Sequence, residues 1–236
     1  MKHRVALGVI FLLSFLGFMI AGVPAAMVFS PLVAMDAGGE HPVIARVQGV
    51  WWNGGMHGRW RGQHFSTRWG VQWRRFRPGL QLNAEVGDLE ASGWLGAGLD
   101  ALRLEHWRIV MPMSLVETLV PDVKADGVLE VDIQTMLLSD RTVQHIDGQL
   151  RFGGGAVSWG EFENIGVPSL NGKMLMQASY PELSVSGPEG QALLSARIEQ
   201  QQLLLSVYGA ALVLFGISEE ADPSVEIFSE RYSFAL

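Results

Sequence analysis

Phe65-Ser66-Thr67-Arg68-Trp69-Gly70-Val71-Gln72-Trp73-Arg74 is the stretch from which the fold can be read. Phe65, Thr67, Trp69, Val71 and Trp73 fall on one side of a period of two. Ser66, Arg68, Gly70, Gln72 and Arg74 fall on the other. In an extended chain successive side chains point to opposite faces, so this stretch is a strand with one buried and one solvated face. The pattern continues outward. Leu80, Leu82, Ala84 and Val86 alternate with Gln81, Asn83 and Glu85; Leu129, Val131 and Ile133 alternate with Glu130, Asp132 and Gln134. Ile146, Leu150 and Phe152 oppose His145, Asp147, Gln149 and Arg151, and Leu183/Val185 and Tyr232/Phe234/Leu236 carry the theme toward the end. Strands of this kind build antiparallel sheets, packed on one side and wet on the other. The chain is therefore expected to be mainly β. The alternation alone leaves a curved sheet, a sandwich and a groove open.

Departures from the period are informative too. From Leu102 to Ile109 the phase slips around Glu105-His106, which predicts a β-bulge. Pro112-Met113-Ser114-Leu115-Val116-Glu117-Thr118-Leu119-Val120 places Leu115/Leu119 and Val116/Val120 four apart, with Pro112 in a first turn and Pro121 as the stop; one short helix is expected there. Leu203 to Ile217 carries no charge but is too short for an ordinary membrane span. It reads as two buried strands turning at Tyr208-Gly209. Glycine, 28 of 236 residues, is above the usual share, in keeping with many tight turns.

The N-terminus follows different rules. After Lys2, His3 and Arg4, the thirty-one residues from Val5 to Met35 are uncharged, and Val5 to Ile20 are almost wholly apolar. A helix needs about 20 such residues to cross the hydrocarbon core. Val23 and Ala25 also have the small side chains of a signal-peptide cleavage site, with Pro24 between them. The uncharged run continues through Phe29, Leu32 and Val33, which favours an uncleaved anchor. With basic residues before the run and Asp36 and Glu40 after it, the N-terminus is expected in the cytoplasm. Residues 1–35 are then a cytoplasmic stub and single transmembrane anchor, and 36–236 one β-rich domain beyond the membrane.

Charge is polarised. Between Glu40 and Glu85 lie seven arginines and no acid, so with a net charge of −7 the rest of the chain carries about −14. Trp51, Trp52, Trp60, Trp69, Trp73 and Phe76 interleave with them. Aromatic–basic interleaving also marks nucleic-acid binders, but the expected topology takes this segment away from nucleic acid. Most of the arginines read as the solvated face of a sheet. Trp51, Trp52, Arg59, Arg61, Arg68, Arg74, Arg75 and Arg77 are the candidate contact residues for a protein partner or for anionic lipid.

Catalytic patterns are weak. The chain has no cysteine, and it carries neither a nucleophile elbow nor a phosphate-cradling Walker loop. Gly96-Ala97-Gly98-Leu99-Asp100-Ala101 fits a dinucleotide fingerprint only in form, since it leads into a strand pattern. His57 and His64 face each other across an expected hairpin without an evident third ligand. Glu161/Glu163 and Glu219/Glu220 sit beside Gly or Pro turns and read as solvated loops. No catalytic residue, metal or cofactor is expected.

Gly49-Val50-Trp51-Trp52-Asn53-Gly54 resembles the Gly-Thr-Val-Trp-x-Gly-like turn that follows the N-terminal anchor in the type II secretion system protein N family. The likeness continues through Trp69 to Trp73, Pro78-Gly79-Leu80 and Asp126-Gly127-Val128-Leu129-Glu130-Val131. Ile146-Asp147-Gly148-Gln149-Leu150-Arg151-Phe152 with Val157-Ser158-Trp159 looks like that family's Gly-x-Leu-x-Trp strand and next hairpin. Val50 stands where threonine is common, Trp51 is extra, and Phe152 replaces a tryptophan. The likeness covers residues 1–180, and from Glu189 onward it does not extend. It implies a non-enzymatic inner-membrane protein with a periplasmic β domain, a scaffolding or stabilising accessory of type II protein secretion. Its partners would be other secretion components, among them the inner-membrane platform and the secretin. An anchor followed by a curved sheet also describes lipid-handling β-grooves of the AsmA/TamB-like and LptC-like kinds, the alternative reading.

Overall fold

The computed structural model describes residues 2–33, 42–98, 100–118, 123–140, 142–159, 162–199, 202–216, 218 and 220–233. Asp36, Glu40, Leu119 to Pro121, Glu161, Glu219, Phe234 and Leu236 lie outside them. The chain divides into two compact units, Met1–Gly87 and Asp88–Leu236.

The first unit opens with helices α1 (Lys2–Ala21) and α2 (Ala25–Val33) and continues as a meander: β1 (Val43–Val50), β2 (Asn53–Trp60), β3 (Gln63–Arg74) and β4 (Arg77–Val86). Each strand pairs antiparallel with the next. Trp69 pairs with Gly54 on one side and Leu82 on the other, and the face read from the alternation is buried at Trp69 but exposed at Val71 and Trp73 toward the end of β3. Trp69 is buried, while Arg68 is exposed on the opposite face. The side chains of α1 are described from Ile10 onward; among the described residues no helix is long and apolar enough to cross a membrane.

The second unit contains β5 (Leu89–Ala97), β6 (Ala101–Pro112), a 3-10 helix (Met113–Thr118), β7 (Val123–Ala125), β8 (Val128–Ser139), β9 (Thr142–Phe152), β10 (Gly155–Trp159) and β11 (Phe162–Val167). β12 (Leu170–Gln177), β13 (Tyr180–Ser186), β14 (Ala192–Glu199), β15 (Gln202–Tyr208), helix α3 (Gly209–Leu214) and β16 (Glu226–Ser233) follow. Its main sheet runs β5-β6-β8-β9-β12-β13-β14-β15-β16. β7, β10 and β11 leave that order and form a small sheet, β11-β10-β7. Both excursions start from the same end of the main sheet, so their chains must cross closely. Gly127 (φ 106) makes the crossing: a Cβ there would stand 2.5 Å from the Gly154 carbonyl oxygen.

The slip at Glu105-His106 is a bulge. Ser92 pairs with Arg108 but Trp94 pairs with Glu105, and His106 sits at φ 50. Beside it Trp94 is 1% exposed, and the Trp107 indole donates to the Trp94 carbonyl at 3.0 Å. The expected short helix is present as a 3-10 turn that starts at Met113, because Pro112 still pairs with Val128 as the last rung of β6.

The hairpin expected over Leu203–Ile217 is not formed. Gln202–Tyr208 is β15, but Gly209–Leu214 is a helix. Ala210 and Ala211 have high helical preference, and both pack with Leu193 in a small buried cluster. A buried helix and a buried strand share an uncharged composition over so short a run, which is why the run misleads. The Gly209 and Ala210 amides donate to the Val225 and Pro223 carbonyls, so the following loop satisfies the start of α3.

Candidate functional site

Val50 pairs with Asn53, so Trp51 and Trp52 form a two-residue turn. Their indoles reach back thirty-one positions. Trp51 Nε1 donates to the Ile20 carbonyl at 2.8 Å, and Trp52 Nε1 donates to the Ala21 carbonyl at 2.8 Å. An α-helix ends with carbonyls that have no partner inside the helix. Here two ring N–H groups take the last two of α1. The joint is reinforced by backbone: Trp51 N donates to Val23 O at 3.2 Å, and Pro24 bridges to Val50. Trp69 Nε1 donates to Trp51 O at 2.9 Å, its ring meets Phe29 of α2 edge-on at 5.0 Å, and Val71 N donates to Trp52 O. Gly54 leaves room for that ring, since a Cβ would lie 2.7 Å from Trp69 Cζ2. The turn thus fastens the N-terminal helix to the β unit, while Trp51 and Trp52 remain 40% and 36% exposed. Alternation could not reveal this, because the bonds join residues remote in sequence.

The arginines are spread along the meander instead of gathered in one patch. Arg59 and Arg61 lie at the β2–β3 end, where the Arg61 guanidinium stacks 5.4 Å from the Trp60 ring and Arg59 Nη2 approaches His64 Nε2 at 3.5 Å. Arg68 is mid-strand, 4.0 Å from Glu85, which also accepts from Ser66 Oγ at 3.1 Å. Arg74, Arg75 and Arg77 cluster at the β3–β4 end, with Arg74 Nη2 donating to Gln81 Oε1 at 3.3 Å. That end is the same one that holds the tryptophan turn.

The β3–β4 loop is just Arg75-Phe76, at φ 46 and φ 62. Two left-handed residues are what a tight hairpin of this type requires, and Asn-Gly is its ordinary choice. For residues with a Cβ the conformation costs about 1–2 kcal/mol each. This loop instead carries an arginine and a phenylalanine whose side chain is 100% exposed, beside Trp73 at 68%. Neither Phe76 nor Trp73 was among the candidate contact residues; the signal available was their place beside three closely spaced arginines. Trp73 and Val71 line an apolar depression of about 480 Å³ with Trp51, Trp52 and Gly17, Ile20 and Ala21 of α1.

His57 and His64 do line one surface depression, of about 540 Å³, together with Arg59, Phe65, Ser66 and Glu85. Their partners across the hairpin are Ser66 and Arg59. Among the described residues no group of three His, Asp or Glu could hold a metal ion. Gly98 lies in the β5–β6 connection, its amide donating to Ala101 O at 2.7 Å, so the fingerprint-like segment joins two antiparallel strands.

In the second unit the register lines up apolar rungs across the main sheet. Ile109, Val131 and Leu150 form one; Trp107, Ile133, Gly148, Met174, Leu183, Ala196 and Leu205 form the next. On the other face Arg108, Asp132, Gln149, Lys173, Ser184 and Ser195 align. Most of the apolar face is only partly buried: Val131, Ile133, Leu150, Met174, Leu183 and Leu205 all keep some exposure.

A family model described as type II secretion system (T2SS), protein N matches residues 43–220, which extends beyond Glu189, where the motif likeness stops. No curated protein and no solved structure matches the chain.

Proposed function

The chain belongs to the type II secretion system protein N family, and from that premise we propose that it is an accessory scaffold of the secretion machine, held in the inner membrane by α1. The observation that carries the reading is the tryptophan turn. Two indole N–H groups on the last carbonyls of α1 make the helix and the β unit one mechanical piece. Thirty-one uncharged residues from Val5 to Met35 and outward-facing apolar side chains, from Leu16 at 46% to Phe18 at 79% exposed, support the anchor. Ala25 is fully buried and Pro24 is paired to Val50, which supports an uncleaved N-terminus. In this reading the charge pattern puts the N-terminus in the cytoplasm and residues 36–236 in the periplasm.

A scaffold acts by binding. β16 ends the main sheet of the second unit, so its outer edge offers backbone groups for strand addition by a partner. In this reading the protein works by binding and without catalysis, as its family of accessory secretion components suggests. Affinity purification from crosslinked membranes is the test. Enrichment of inner-membrane platform components or of the secretin is the expected result. Normal protein export, with normal levels of the other components, in a deletion strain would refute the scaffold.

The partly buried apolar rungs of the second unit favour one other reading, a groove that carries lipid. Native mass spectrometry decides it: bound phospholipid on the purified chain is its signature, and a bare chain removes it.

A further inference from the structure

We propose that the tip of the β3–β4 hairpin, Trp73 to Arg77, dips into the anionic headgroup layer of the membrane that holds α1. The inference rests on the anchor reading and adds a lipid contact to it. Three facts carry it. The hairpin tip and the tryptophan turn lie at the same end of the meander, and β3 runs on for three residues beyond Val71, whose amide donates to Trp52 O. At about 3.3 Å per residue the tip therefore overhangs the turn by roughly 10 Å. It does so along α1, because Gly17, one helical turn back from Ala21, lines the same depression as Trp73.

The tip's composition matches that position. Phe76 is wholly exposed, Trp73 is mostly exposed, and Arg75 and Arg77 flank them. Tryptophan favours the membrane–water interface, phenylalanine the headgroup–acyl boundary just below it, and arginines the phosphates of anionic lipid. An acidic protein surface would satisfy the arginines but leaves a fully exposed phenylalanine in an expensive backbone conformation without a purpose. A bilayer surface beside an apolar helix uses both.

The chain has no cysteine, so single cysteines can be placed and spin-labelled uniquely. Full-length Leu13→Cys, Phe76→Cys and Arg59→Cys are reconstituted into vesicles of phosphatidylglycerol with phosphatidylcholine, and into phosphatidylcholine alone. Collision with oxygen and with a water-soluble nickel chelate reports the depth of each label. Leu13 has an exposed side chain, so its substitution removes no packing, and at position 76 the apolar nitroxide ring of the label takes the place of the exposed phenyl ring. Expected are a Leu13 label in hydrocarbon, a Phe76 label at the headgroup level in anionic vesicles, and an Arg59 label in water. Arg75→Gln and Arg77→Gln should each shift the Phe76 label toward water by about fivefold in population. A deep Leu13 label with Phe76 in water overturns the hairpin contact alone, and an acidic protein partner then takes its place. A Leu13 label in water overturns the anchor reading and this proposal with it.

Discussion

Replacing Trp52 by phenylalanine isolates the joint between α1 and the β unit. A smaller aromatic ring stays, and the indole N–H that donates to the Ala21 carbonyl at 2.8 Å is lost with the five-membered ring that carries it. A typical hydrogen bond contributes about 0.5–1.5 kcal/mol net. Trp52 is 36% exposed, so water can replace the donor, which keeps the loss near about 1 kcal/mol. Trp51→Phe should cost less, because the Ile20 carbonyl keeps a second donor, Val23 N at 3.3 Å. The assay is amide hydrogen exchange on the full chain in micelles, read at Gly22 and Val23, whose amides donate to Phe18 O and Ile20 O. A loss of about 1 kcal/mol raises local opening, and so exchange, by about fivefold. Unchanged exchange in Trp52→Phe, or a larger effect from Trp51→Phe, would refute the view that these indoles cap the helix.

Other consequences lie elsewhere in the chain. Trp94→Ala removes a ring that is 1% exposed and should lower stability by about 3–5 kcal/mol, seen as an earlier unfolding midpoint by circular dichroism. Arg68→Gln should change stability by less than about 0.5 kcal/mol in the same measurement, since its contact with Glu85 is long and exposed. The Asp222 carboxylate accepts from the amide and hydroxyl of Ser224, which holds it below the ordinary carboxylate range. Its contribution to the loop that starts α3 is therefore present above that range and lost as pH falls through the lowered value. Ser224→Ala, followed by carbon NMR of Asp222, should move the titration back toward the ordinary range; an unmoved midpoint would exclude Ser224 as the cause.

Much of this protein is written in local patterns. Period-two alternation determined the strands, as at Phe65–Arg74 and Leu129–Gln134, because side-chain direction in an extended chain depends only on neighbouring residues. The phase slip at Glu105-His106 located a bulge for the same reason, and the motif turn Gly49–Gly54 pointed to the family that residues 43–220 match. Tertiary structure decided the rest. Leu203–Ile217 became a strand and a helix because Ala210 and Ala211 found a buried seat against Leu193, a contact that apolar composition does not specify. Arginines close in sequence were spread along the meander by its turns, with Arg59 and Arg61 at one end, Arg68 mid-strand and Arg74, Arg75 and Arg77 at the other end. Trp51 and Trp52, which the sequence offers as candidate contact residues, donate to carbonyls thirty-one positions earlier; which donor meets which carbonyl is settled only when the chain ends of α1 and β1 are brought together in space.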